Sequence, residues 1–277
     1  MQAYHFTLAL GRIASFVLRL VCVPKCIVCG EVLEKEGEIC PDCLAIWTEA
    51  RAVRCPKCHK TAAACSCRPR SMFSTDPIRK RPMLSLIFLG RPGSKEIEDK
   101  LTRIIVYKTK RSEDRSAANF CARELSLTTL RFLHQSGENP RDWILTYPPG
   151  AAQRIRKYGF DQSRQLAKKI SKYTGIPWVS CFKRTGHIMQ KTLNSMERRI
   201  NAEKSYTLHG YDPAGKKFLL IDDVITTGAT INACARLLQE AGAEKVFPIS
   251  IARTKRISGA IRRTPASRPW FMCHVKK

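Results

Sequence analysis

Between Lys217 and Thr230 the chain reads KFLLIDDVITTGAT: an apolar run, two adjacent carboxylates, then a turn of threonines and one glycine. Asp222 and Asp223, side by side at a strand end, can both reach a ligand and accept hydrogen bonds from a vicinal diol such as ribose offers. Gly228 permits close backbone approach, and Thr226, Thr227 and Thr230 supply hydroxyls. A helix opening at this turn would aim its first N–H groups at an anion. A diol clamp one sugar away from a phosphate cradle describes a ribose 5-phosphate site. The lysine of a P-loop is missing, which disfavours ordinary nucleoside triphosphatase chemistry.

The second chemistry lies in the thiols. Thirteen cysteines are an odd number, which argues against a fully paired disulfide scaffold. Eight of them fall between Cys26 and Cys67, as Cys26-Ile-Val-Cys29, Cys40-Pro-Asp-Cys43, Cys55-Pro-Lys-Cys58 and Cys65-Ser-Cys67. Two intervening residues let a tight turn aim both sulfurs at one ion, and two such turns complete a tetrahedron around Zn²⁺. Cys26, Cys29, Cys40 and Cys43 have clean spacing for one site. Cys55, Cys58, Cys65 and Cys67 suit a second, although the tighter last pair leaves a crossed pairing or a single ion open. His59, beside Cys58, is a possible substitute ligand. With every position filled by protein the zinc is structural, and it would supply about 10–16 kcal/mol of folding free energy per site to a segment with little core. Cys22, Cys121, Cys181, Cys234 and Cys273 stand alone and read as small apolar fillers.

Charge points to the class of partner. Lys and Arg number 49 against 23 Asp and Glu, a formal net charge of +26 over 277 residues. Such an excess attracts polyanions, nucleic acid first, then anionic membranes or phosphorylated metabolites; its bland counterpart is solubility. From Arg253 to Lys277 eight basic residues occur with no acidic one, a phosphate-seeking tail. The apolar N-terminus is interrupted by Arg12 and Arg19 and lacks a signal-peptide start or cleavage site. It reads as an amphipathic helix, and with no candidate membrane span the expected location is the cytoplasm.

The elements that would position these groups alternate. Strands are expected at Met83–Gly90, Asp142–Tyr147, Trp178–Phe182, Lys217–Asp222 and Lys245–Arg253. Helices are expected at Lys95–Ile105, Asp114–His134, Asp161–Gly175 and Thr230–Ala243, with Asp161 as a cap and Gly175 as a stop. This order implies an α/β fold, a mainly parallel sheet with helices on both faces. The expected division is an N-terminal amphipathic segment at 1–23, a zinc-binding module at 24–68, a linker at 69–82, the α/β domain at 83–254 and a basic tail at 255–277.

LLIDDVITTGAT resembles the phosphoribosyl pyrophosphate (PRPP) binding motif of type I phosphoribosyltransferases. With eight cysteines ahead of it, the chain resembles the ComF family, competence-associated phosphoribosyltransferase-like proteins. RIRKYGFDQS resembles that family's R-x-R-x-R-G-F-N-Q stretch. RTGHIMQKTLNSMERRIN resembles its hood segment, with Arg184, Gln190, Arg198 and Asn201 in place, and IIVYKTKR its lysine stretch, with Lys108 in the lysine position. The resemblance implies a type I phosphoribosyltransferase-like sheet behind a small zinc-ribbon module. It makes Asp222 and Asp223 the catalytic pair and gives PRPP to those two with Val224, Thr226, Thr227, Gly228, Ala229 and Thr230. Arg154, Arg156, Arg184 and Arg198 would face the pyrophosphate, with Mg²⁺ carried on PRPP. It further implies handling of single-stranded DNA during uptake, with partners such as a DNA-translocating helicase. The competing reading is a metabolic phosphoribosyltransferase acting on a nitrogenous base. Tyr158 and Asp161 depart from the family's Arg and Asn, making the pyrophosphate side less basic, with Lys157 placed to compensate.

Overall fold

The computed structural model describes residues 23–34, 37–55, 58–65, 83–90, 93–110, 115–185 and 205–254. The amphipathic N-terminal segment, the 69–82 linker, the basic tail, Cys67, Gln190, Arg198 and Asn201 lie outside the described residues.

Helix α1 (Pro41–Ala52) belongs to the cysteine-rich part. It is followed by β1 (Leu84–Leu89), α2 (Ile97–Lys108), α3 (Arg115–Gln135), β2 (Trp143–Thr146), α4 (Ala152–Tyr158) and α5 (Gln162–Thr174). Then come β3 (Phe182–Arg184), β4 (Tyr206–Leu208), β5 (Lys217–Ile225), α6 (Ala229–Glu240) and β6 (Lys245–Thr254). The main sheet runs β1-β6-β5-β2, every pair parallel, and β3 pairs antiparallel with β4 apart from it. This is the type I phosphoribosyltransferase-like α/β arrangement.

Strand β5 is apolar on both faces because helices cover both. Leu219 and Ile221 enter one core with Ile105 of α2, Phe120 and Leu125 of α3, and Ile170 of α5. Phe218 and Leu220 point the other way, into a core with Ile231 and Leu238 of α6, Phe182 of β3 and Tyr206 of β4. Helix α5 follows the expected pattern. The Asp161 carboxylate accepts from the N–H groups of Ser163 and Arg164, Leu166, Ala167 and Ile170 are buried, and Gly175 ends the helix with φ 74°.

The cysteine-rich part shares the first core. Cys26, Ile27, Cys40, Cys43 and Trp47 are buried with α2 and α3, and Trp47 meets Phe120 edge-on at 5.2 Å. Arg51 pairs with Glu124 at 2.6 Å and Arg123 with Glu38 at 2.7 Å across the same junction.

One expectation is corrected. The Trp178–Phe182 strand is split: Trp178 makes a single parallel bridge to Leu145, and Phe182 begins the separate β3–β4 pair. RIRKY, to which the sequence pattern assigns no element, lies in α4, closed by Gly159 at φ 77°.

Candidate functional site

The site follows from unequal strand lengths. Strand β2 ends at Thr146, opposite Leu220, whereas β5 continues to Ile225 and stays paired with β6 through Ile225 and Arg253. Asp222 and Asp223 therefore lie inside a strand and not at its end as expected, and they are uncovered because the neighbouring strand has stopped. Past Thr146 the chain turns through Pro148, Pro149 and Gly150, leaving a cleft of about 390 Å³. Asp222, Asp223, the whole Val224–Thr230 turn, Lys110, Arg154 and Arg184 all line it. Gly228, at φ 78°, stands at the N-cap of α6, a backbone conformation that L side chains resist. Thr254, the last residue of β6, donates its hydroxyl to the Thr226 carbonyl at 2.9 Å and anchors the turn.

The two carboxylates are electrostatically unequal. Burial, followed by the charge of Asp223, pushes the Asp222 carboxyl well above the usual carboxylate range. Burial alone would raise Asp223 too, but the Lys110 ammonium 3.1 Å away and hydrogen bonds from Asp222 and the Val224 N–H hold it below that range. The free pair thus favours sharing one proton. Across the cleft Arg184 Nη1 donates to the Tyr206 hydroxyl at 2.8 Å, while its buried Nε has no hydrogen-bond acceptor among the described residues. Burial lifts that phenol to about 12, so it stays protonated beside the guanidinium.

The cysteines form two clusters. Sγ atoms of Cys26, Cys29, Cys40 and Cys43 all lie within 4.8 Å of one another, and those of Cys55, Cys58 and Cys65 do the same. Cys29 Sγ and Cys40 Sγ are 3.7 Å apart, close to the ~3.8 Å edge of a tetrahedron with Zn–S of about 2.3 Å. The first turn of each cluster is built alike. Gly30 N donates to Cys26 O and His59 N to Cys55 O, while Cys26 N donates to Glu31 O and Cys55 N to Lys60 O. The bridges Lys25–Val32 and Arg54–Thr61 repeat the match, and His59 takes φ 55° where Gly30 takes 80°. Burial would raise the Cys26 thiol, yet N–H groups of Cys40, Val28 and Cys29 bring it down to about 7, a thiolate-favouring setting. The donor set fits zinc. His59 is not part of the second cluster, whose third described ligand is Cys65.

The phosphoribosyl transferase domain family matches residues 159–262. The competence protein ComFC of Streptococcus pneumoniae is 23% identical over 242 residues, covering 83% of this chain and 100% of that protein. Together these likenesses support placing the chain with the ComF family. The DNA utilization protein YhgH of Escherichia coli O157:H7 is 29% identical over 153 residues, 54% of this chain and 66% of that one. Among solved structures, a phosphoribosylpyrophosphate synthetase from Mycobacterium smegmatis shares 22% identity with a TM-score of 0.30, over 47% of this chain and 33% of its own.

The cleft gathers most of the expected PRPP residues: both aspartates, the turn, Arg154 and Arg184. Arg156 is exposed and is not among the cleft residues, because α4 presents Arg154 and Ile155 to the cleft. Arg198 lies outside the described residues. The lysine that reaches the carboxylates is Lys110, not Lys108, since α2 ends at Lys108 and the chain turns two residues further on. Only the second lysine of Lys-Thr-Lys would have signalled it. Asp161 lines the cleft, but its oxygens are already bonded to the N–H groups of Gly150, Ser163 and Arg164. Its negative charge serves to tie the proline loop to α5.

Proposed function

We propose that the chain is a competence-type protein that binds PRPP in this cleft and handles single-stranded DNA in the cytoplasm. The observation that carries the reading is the meeting of a carboxylate pair and a small-residue turn at a helix N-terminus in one cleft with three cations, Lys110, Arg154 and Arg184. Asp222 and Asp223 would accept from the ribose hydroxyls, and the Thr226–Thr230 turn would hold the 5-phosphate. Arg154 and Arg184 would face the pyrophosphate, with Arg184 Nε supplying a donor whose acceptor is still to be met. Magnesium would enter on the pyrophosphate oxygens and spread their charge. The cysteine clusters would hold structural zinc. We further read 24–68 and 83–254 as the functional divisions of the chain.

The competence role rests on the names of the relatives, and the DNA role on the +26 net charge as well. Among the described residues no helix is long and apolar enough to cross a membrane, which is compatible with this placement. The test is calorimetric titration with PRPP and Mg²⁺ against Asp222→Asn/Asp223→Asn; unchanged affinity in that variant removes the diol clamp. Fluorescent single-stranded DNA is titrated in parallel at several salt concentrations, and absence of binding at low salt sinks the DNA role. Pyrophosphate release with a free base as acceptor would instead favour the metabolic reading.

A further inference from the structure

Behind Phe160 and Asp223 lies a second cleft of about 480 Å³, which shares Asp223 with the diol clamp and no residue with the Thr226–Thr230 phosphate turn. Small-ligand sites span roughly 300–1,000 Å³, so it has room for one nucleotide-sized group. Its wall carries two cations, Arg115 and Lys169, and two amides, Gln162 and Gln165, over an apolar floor of Leu166 and Ile251. Arg115 opens α3, where the positive end of the helix adds to both cations. Burial, and then the charges of Arg115 and Lys172, make the Lys169 ammonium harder to keep than in water. Its Nζ donates to Asn119 Oδ1, a neutral acceptor. Among the described residues lining this cleft the one carboxylate is Asp223, which already faces Lys110. Like charges gathered on a partly desolvated wall without a carboxylate of their own mark a place where an anion is favourable.

We propose that this second cleft binds a phosphate-bearing nucleotide unit, with its phosphate on Arg115 and Lys169 and its base against Phe160 and the apolar floor. Gln162 and Gln165 offer both a donor and an acceptor to a base edge, and base–aromatic contact of this kind tolerates any base. The site stands independently of what the first cleft holds. Because Phe160, Gln162 and Asp223 line both, an occupant here would lie beside the ribose phosphate of the first.

The nucleotide unit can be free or part of a strand, and two probes separate these sources: dAMP and a short fluorescein-labelled oligothymidylate. Both are titrated into the full chain near physiological salt, and again with Arg115→Gln/Lys169→Gln and, separately, Gln165→Leu. The charge variant should weaken at least one probe tenfold or more, with PRPP affinity held within twofold. Loss for both probes identifies a mononucleotide site, and loss for the oligonucleotide alone identifies a strand site. Gln165→Leu removes no charge, tests the base edge should the double variant fail to fold, and should weaken the same probe several-fold. The proposal is overturned if neither probe binds the unaltered chain, or if the variants that fold bind both probes as well as it does. PRPP binding is measured in the same preparations, so a failed first-cleft reading shows up as lost PRPP binding and nothing else.

Discussion

Replacing Arg253 by methionine tests whether the second cysteine cluster and the sheet form one unit. Arg253 is 1% exposed near the end of β6, and its guanidinium lies 5.2 Å from the Phe88 ring centre. Its Nη2 donates to Ala62 O at 2.9 Å and to Cys65 O at 2.7 Å, both in the second cysteine turn. Methionine retains much of the apolar stem and removes the charged fork. Each carbonyl left buried without its donor costs about 1–3 kcal/mol, and the lost ring contact about 0.5–2 kcal/mol. Relief from desolvating the guanidinium offsets part of this, leaving a net loss of about 3–4 kcal/mol, toward the upper end of what single substitutions cost. That is a large share of the roughly 5–15 kcal/mol holding a typical domain together. Urea denaturation should show the loss, and chelator competition should release zinc faster from the second cluster than from the first. Because Thr254 anchors Thr226, PRPP affinity should fall several-fold as well. A loss below about 1 kcal/mol with unchanged zinc retention would refute the mechanical link.

Four further outcomes follow from the same contacts. Asp222 has a raised carboxyl and binds a diol best when ionised, so PRPP affinity should rise as the pH climbs through and above the ordinary carboxylate range. Calorimetry in buffers of different ionisation enthalpy should accordingly detect proton release, and proton uptake would contradict the shared-proton pair. Lys110→Ala should raise Asp223 and weaken PRPP about tenfold by loss of a close charge, whereas Lys108→Ala should stay within twofold; equal effects would undo the reassignment. Gly228→Ala forces an L side chain into a left-handed conformation at a cost of about 1–2 kcal/mol, seen as a lower melting temperature and weaker PRPP binding. Removing the first-cluster zinc by chelation, or substituting Cys40→Ser, should red-shift Trp47 fluorescence, because Trp47 is 1% exposed and shares its core with Cys26, Cys40 and Cys43; an unchanged spectrum would separate the metal from that core.

What could be read from sequence divides by the range of the interaction. Asp161 and Gly175 bound α5 as expected because a cap and a left-handed stop are local events. The β5 pattern was equally plain, since a strand buried on both faces is continuously apolar. The first cysteine cluster followed from spacing alone. Lys110 could not be singled out, because which of two lysines reaches Asp223 depends on where α2 ends and how β1 and α2 meet. Gly90 governs that meeting: a Cβ there would stand 2.2 Å from the Asp99 carbonyl oxygen. The split of Trp178–Phe182 is equally non-local, as these residues alternate well enough for a strand but find only Leu145 as a main-sheet partner. Arg253, counted from sequence as the first residue of a basic tail, is a buried strand residue whose charge is consumed inside the molecule.

The placement of Arg253 bears on how the basic excess should be read. Of the cations described here, Arg51, Arg123, Lys217 and Lys245 meet carboxylates, and Arg253 meets backbone carbonyls, so all five are committed to folding. Arg154 and Arg184 face the first cleft, and Arg115 and Lys169 the second. The two clefts share Phe160, Gln162 and Asp223 in their walls. A surface that attracts a polyanion everywhere would give a steep salt slope that no single substitution alters much. A surface that gathers its cations at two adjoining clefts predicts a different result: charge removal at Arg115 and Lys169 should lower the salt slope for oligothymidylate by about two, while substitution of as many exposed lysines elsewhere should leave most of it in place.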